Sequence, residues 1–91
     1  MYKVELTHII KDLEKLPSNV VSKLQKWAEQ VELYGLPEIR RIPGLHDEPL
    51  KGQRQGQRSI RLSRSYRAIY VESPKNKLIT VIVIEVNKHE Y

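Results

Sequence analysis

Six basic side chains fall within residues 51–67, namely Lys51, Arg54, Arg58, Arg61, Arg64 and Arg67, and no Asp or Glu occurs from residue 49 to residue 71. Cations at that density have one chemical use above others, the binding of a polyanion. A one-signed field raises the local concentration and on-rate of an oppositely charged ligand, and folding does not require it. A solvated, solubilising surface is the plain alternative. A second reactive group closes the chain, with Lys88, His89 and Tyr91. Histidine can give or take a proton near neutrality, and tyrosine offers a hydroxyl and a stacking face. Alone, these two are a surface histidine and a packing tyrosine. Beside a polyanion-binding stretch they become candidates for acid–base chemistry. His46, in a loop bounded by Pro43, Gly44 and Pro49, is either a hydrogen-bonding loop residue or a third participant.

The charge belongs to one half of the molecule. Residues 1–49 hold 7 Lys/Arg and 8 Asp/Glu, net −1, and residues 50–91 hold 9 and 3, net +6. A nucleic acid or an anionic membrane surface is the expected counterpart. At 91 residues the chain is a single domain, 1–91, with room for one small site. It has no cysteine, which excludes disulfides and thiolate metal sites, and its three scattered histidines do not suggest structural zinc. No cofactor is expected. The N-terminus alternates apolar and charged residues, and no stretch approaches the roughly 18 apolar residues of a membrane span. The expectation is a soluble, cytoplasmic protein, monomeric on its own.

The elements that must hold these residues follow from periodicity. Tyr2, Val4 and Leu6 alternate with Lys3, Glu5 and Thr7, which predicts a strand over 2–7. Ile9, Leu13 and Leu16 share a helical face that ends at Pro17. Ser18 is a suitable N-cap for a second helix over 19–34, whose stripe runs through Leu24, Trp27, Ala28, Val31 and Tyr34 to Gly35. Residues 36–49 read as an irregular segment with one helical turn. Alternation predicts strands over 58–64 and 66–72, the residues of 73–77 have turn chemistry, and the nearly continuous apolar, β-branched run over 78–86 predicts a central strand. The fold class is α+β, in the order β-α-α-β-β-β. A small, twisted, mainly antiparallel sheet carries two N-terminal helices on one face and basic side chains on the other.

Arg61 and Arg67 share a face of the predicted hairpin only if its loop is odd in length. Arg67 has the strand parity of Ile69 and Val71, which implies a partly buried guanidinium. It has either a structural or catalytic duty, or it snorkels or pairs with Glu72 or Glu85. Arg54, Arg58 and Arg64 are phosphate or solvent contacts.

Three segments carry a resemblance: Ile42-Pro43-Gly44-Leu45-His46-Asp47-Glu48-Pro49-Leu50-Lys51-Gly52, then Gly56-Gln57-Arg58-Ser59-Ile60-Arg61-Leu62-Ser63-Arg64-Ser65-Tyr66-Arg67-Ala68-Ile69-Tyr70, and Ile84-Glu85-Val86-Asn87-Lys88-His89-Glu90-Tyr91. In order and spacing, across essentially the whole chain, they resemble the RelE/ParE toxin superfamily, with most likeness to its RelE and HigB branches. The resemblance implies the toxin of a bacterial type II toxin–antitoxin pair, a ribosome-dependent endoribonuclease that cuts mRNA and is inhibited by a cognate antitoxin protein. It also implies metal-independent attack of the RNA 2′-oxygen on the neighbouring phosphorus. Such attack needs a base, cations for the pentavalent phosphate and an acid for the leaving oxygen. By the same resemblance Arg61 and Arg67 hold the phosphate, His89 is the acid and Tyr91 orients or stacks on a base. Lys51 and His46 match the Leu-His and Leu-Lys-Gly segment, and Arg54, Arg58, Arg64 and Lys88 contact RNA or ribosome. Two positions depart from the pattern. Ser59 stands where related chains often carry a second lysine, which leaves the base duty to Arg61, Lys51 or His46. Glu90 separates His89 from Tyr91. The alternatives are a ParE-like gyrase poison of the same fold and a non-catalytic RNA-binding module.

Overall fold

The β-branched run over 78–86 suits a pleated surface flanked on both sides, and it becomes an inner strand of the sheet. In the computed structural model, which describes residues 1–88, the strands are β1 (Tyr2–Glu5), β2 (Glu48–Pro49), β3 (Arg58–Arg61), β4 (Tyr66–Lys75) and β5 (Leu78–Lys88). They form one five-stranded sheet in the order β1-β5-β4-β3-β2, with β1 parallel to β5 and the other pairs antiparallel. The helices are α1 (Ile10–Leu13), α2 (Ser18–Tyr34) and α3 (Leu36–Ile39), with 3-10 turns at Thr7–Ile9, Pro43–Leu45 and Gly52–Arg54. The α+β class and the mainly antiparallel sheet are as expected. Among the described residues, no helix is long and apolar enough to cross a membrane.

The boundaries differ from the expected ones for local reasons. The first helix is a 3-10 turn followed by the four residues of α1. Ser18 lies inside α2 and does not cap it. The extended backbone of Pro17 forms the boundary, and its carbonyl accepts from the N–H groups of Val20 and Val21 at 3.0 and 3.1 Å. The 73–77 turn tightens to Asn76 and Lys77, because Asn76 takes φ +58° and β4 extends to Lys75 opposite Leu78. A short strand, β2, appears inside the segment expected to be irregular, and it pairs with β3 through Glu48–Ser59 and Pro49–Arg58.

The 3.6-residue period of α2 places Val20, Leu24, Trp27 and Val31 against Ile60, Ala68, Tyr70, Val81 and Val83 of the sheet. Tyr34, expected in that stripe, is 65 % exposed. The chain turns at Gly35, at φ +84°, and the buried residue that follows is Leu36. A Cβ at Gly35 would lie 3.2 Å from the ring of Tyr2, so the positive φ favours glycine there and the space is tight.

One irregularity decides which side chains reach the opposite face. Ile69 pairs with Glu85 while Tyr70 pairs with Val83, so Ile84 is an extra residue, a β-bulge in β5. A one-residue slip exchanges the faces of every side chain beyond it. Val81 and Val83 therefore enter the core, whereas Glu85 and Asn87, which share their parity, align with Ile69 and Arg67 on the other side.

Candidate functional site

The face away from α2 carries two cross-strand rows. One is Glu48, Ser59, Ile69 and Glu85, and the other is Arg61, Arg67 and Asn87. Arg61 stands directly opposite Arg67 because the hairpin loop has three residues, 63–65, closed by a hydrogen bond from Leu62 N–H to Tyr66 O at 2.9 Å. The odd loop needed for the two arginines to converge is thus present.

Arg67 is held by hydrogen bonds and, among the described residues, has no carboxylate partner. Its Nη2 and Nε donate to Ser59 Oγ at 2.8 and 3.3 Å, and Nη2 also donates to the carbonyl of His46 at 3.2 Å. Neither carboxylate that could have paired with it does so. Glu72 takes Arg40 at 3.0 Å, and Glu85 takes Arg54 at 2.7 Å. Hydrogen bonds from Asn87 and Arg54 hold the Glu85 carboxyl below the usual range. Among the described residues, Arg61, Arg64 and Arg67 have no ion-pair partner. Arg67 faces a groove of about 390 Å³ lined by Glu48, Leu50, Ser59, Ile69, Asn87 and Lys88. An apolar floor, a fixed guanidinium and a carboxylate on the rim suit a ligand with a flat apolar body and an anionic group.

The loop over this groove is tied down from beneath. Asp47 has a fully buried side chain whose carboxylate accepts from Arg58 Nε at 2.6 Å and from the Tyr70 hydroxyl at 2.6 Å, with Arg40 Nε at 3.8 Å. Arg58 Nη2 also donates to the backbone carbonyl of Asp47 at 3.3 Å. Tyr70 accepts from Arg40 Nη2 at 3.3 Å, and its ring lies 5.4 Å from that of Trp27.

No protein-family model matches the chain, and no curated protein sequence matches it. Solved structures do match it. The RelBE2 toxin–antitoxin complex of Mycobacterium tuberculosis aligns with 97 % of this chain and 91 % of its own, at 26 % identity and TM-score 0.69. A YoeB/ParE toxin from Agrobacterium tumefaciens aligns with 98 % of both chains at 22 % identity and TM-score 0.66. YafQ from E. coli covers 97 % of this chain and 91 % of its own at 17 % identity and TM-score 0.66. This chain has the fold of the RelE/ParE toxins.

Within this RelE/ParE fold the expected site residues separate. Arg61, Arg67 and Lys88 share the groove face or its lining, and Arg61 Nε is steadied by the Ser63 carbonyl at 3.3 Å. Arg64 is exposed in the hairpin loop, and Lys51 is exposed just before the Gly52–Arg54 turn, outside the groove lining. Arg58, expected to contact phosphate, is instead the partner of Asp47, and Arg54 is committed to Glu85 and to Gln57 at 2.9 Å. His46 has an exposed side chain and sits at φ +45°, so the group it presents to the site is its backbone carbonyl. His89 and Tyr91 lie outside the described residues.

The sequence reading missed Glu48, Asp47 and Asn87. Glu48 was hidden because a two-residue strand containing a proline has no periodicity to detect. A signal did exist in the single acid pair, Asp47 and Glu48, immediately before the long acid-free stretch. The tyrosine beneath Asp47 has a measurable signature. Burial, then the hydrogen bond to Asp47, pushes the Tyr70 phenol well above the ordinary value of about 10. A raised pKa means the folded state retains a proton that the unfolded state releases. Stability is therefore full below about pH 10 and falls as the pH rises toward the folded-state value. Alkaline titration followed by tyrosinate absorbance should show one late phenol ionising together with loss of near-UV ellipticity. In Tyr70→Phe that late step should be missing, and its persistence would assign it to another residue.

Proposed function

We propose that this chain is the toxin of a bacterial type II toxin–antitoxin pair and an mRNA endoribonuclease that acts on the ribosome. The single observation that carries the reading is Arg67, fixed by Ser59 and the His46 carbonyl yet without a carboxylate partner among the described residues, directly opposite Arg61. Two preorganised guanidiniums on one face suit a phosphate that gains charge in its transition state, because fixed donors cost no reorganisation when that charge develops.

In the proposed cycle the RNA phosphate binds across Arg61 and Arg67 with a neighbouring base against Leu50 and Ile69. The 2′-hydroxyl loses its proton and its oxygen attacks phosphorus. The P–O5′ bond breaks, and the 5′-oxygen takes a proton, leaving a 2′,3′-cyclic phosphate and a 5′-hydroxyl. Arginine is a poor base because it stays protonated. Glu48, the one carboxylate lining the groove among the described residues, is the proposed proton acceptor. His89 is the proposed donor to the 5′-oxygen, since it follows directly on Lys88, the last residue of β5 and part of the groove lining. Tyr91 is proposed to stack on a base, with Arg64, Lys51 and Lys88 adding phosphate contacts. The proposed partners are mRNA, the ribosome and a cognate antitoxin. The antitoxin proposal is supported by likeness to toxins solved in antitoxin complexes, RelBE2 and, at 16 % identity and TM-score 0.52 over 100 % of this chain and 97 % of its own, the YoeB–YefM complex of Staphylococcus aureus.

Primer extension on a translated mRNA, with and without ribosomes, tests this reading. Cuts are expected only with ribosomes, and Arg67→Ala should slow them by about 10²-fold, the usual effect of losing one transition-state donor. Growth arrest without mRNA cuts, with gyrase trapped on DNA, would transfer the chain to the gyrase-poison class.

A further inference from the structure

We infer that Asp47 is the positioning residue of this site: it clamps the 46–48 segment to the sheet, so that the His46 carbonyl grips Arg67 and the Glu48 side chain faces the groove. The kinetic part of the inference rests on the nuclease reading, whereas the geometric part does not.

The argument starts from an energetic oddity. The Asp47 side chain is fully buried, and burying a carboxylate is costly in desolvation, so that apolar groups of the same shape are often equally stable or more so. Stability alone is therefore a weak reason for a buried acid here. What Asp47 secures instead is direction. Its two carboxylate oxygens are taken by different strands, Oδ1 by Arg58 of β3 and Oδ2 by Tyr70 of β4, both at 2.6 Å. Arg58 grips the same residue a second time through the backbone carbonyl at 3.3 Å. A residue held at side chain and main chain by two strands has little freedom to rotate.

Its two neighbours inherit that restraint. On one side His46 is held at φ +45°, a left-handed conformation uncommon outside glycine, and its carbonyl accepts from Arg67 Nη2 at 3.2 Å. On the other side Glu48 pairs with Ser59, the residue that also accepts from Arg67 at 2.8 Å. Asp47, immediately before β2, turns its side chain toward Tyr70, and the next residue, Glu48, the first of β2, lines the groove on the other face. One buried carboxylate thus sets the relative placement of the proposed base and the proposed phosphate holder. Errors of about 1 Å in such placement can cost on the order of 10²-fold in rate.

The test uses Asp47→Asn, which keeps the shape and removes the charge, and Tyr70→Phe, which removes one of the two grips. Two readouts are taken on ¹⁵N-labelled protein: the Arg67 Nε–H resonance, assigned by its loss in Arg67→Lys, and the Trp27 indole resonance as a control for the core. Single-turnover cleavage and ribosome affinity are measured on the same samples. In Asp47→Asn the Arg67 resonance should move toward those of freely solvated arginines while the Trp27 resonance stays. Cleavage should slow by about tenfold to 10²-fold with affinity little changed. Tyr70→Phe should give a smaller shift in the same direction. A folded Asp47→Asn protein with an unmoved Arg67 resonance overturns the inference. If Asp47→Asn does not fold, Tyr70→Phe decides on the same criterion. If the wild type cleaves nothing, the nuclease reading is lost, and the Arg67 resonance still decides whether Asp47 positions it.

Discussion

Single-turnover cleavage by Glu48→Gln on programmed ribosomes is expected to be slower than wild type by about 10²–10⁴, with ribosome affinity nearly unchanged. The magnitude is that of a lost proton acceptor. The change is nearly isosteric, so the pairing of β2 with β3 and the shape of the groove should survive. Glutamine still accepts a hydrogen bond but cannot take a proton, so the defect should lie in the chemical step. A wild-type rate in Glu48→Gln would remove Glu48 from the mechanism and return the base duty to Lys51 or His46, whose alanine variants belong in the same experiment. The proposal is attractive chemically because it resolves the difficulty posed by Ser59. That position supplies no second lysine, but its hydroxyl holds Arg67, and the strand beside it carries the carboxylate proposed as base.

Trp27→Ala is expected to destabilise the fold by about 3–5 kcal/mol in denaturant or thermal unfolding. Trp27 is 1 % exposed, lies at the centre of the α2 stripe and meets the ring of Tyr70 at an interplanar angle of 48°. Its removal leaves a cavity between α2 and the sheet that the rigid strands cannot close. For a domain of this size, whose total stability is of order 5–15 kcal/mol, that loss is a large fraction. Its origin can be separated by a second substitution. The indole Nε1 is buried with no hydrogen-bond partner among the described residues, so Trp27→Phe loses no bond and should cost clearly less than alanine. If Trp27→Ala costs under about 1 kcal/mol, within the range of surface changes, then α2 does not depend on this contact and the account of the core is wrong. Loss of the Trp27 contact should also disturb Tyr70, and through it Asp47, so the variant is expected to lose activity per molecule as well as stability.

The sequence alone determined the α+β class, the second helix, the last strand as an inner strand of the sheet, the burial of Trp27 and the basic character of the C-terminal half. Each is a local property: a period of 3.6 or 2, a glycine or proline at a boundary, a run of like charges. Such signals survive because neighbours in sequence remain neighbours in the element. Tertiary structure decided the rest. Arg54 and Arg58 look free in the sequence, but their partners are Glu85 and Asp47, 31 and 11 residues away, and only the fold brings those charges within contact. Asn87 has the parity of Val81 and Val83 and by alternation belongs in the core, until the bulge at Ile84 turns it to the groove. Glu48 becomes a site residue only because a two-residue strand, too short to leave a pattern, pairs with Ser59. Arg67 shows the division most clearly. Its type and strand parity identify a half-buried cation, but whether it is neutralised or left to meet a phosphate depends on where two distant glutamates find their own arginines.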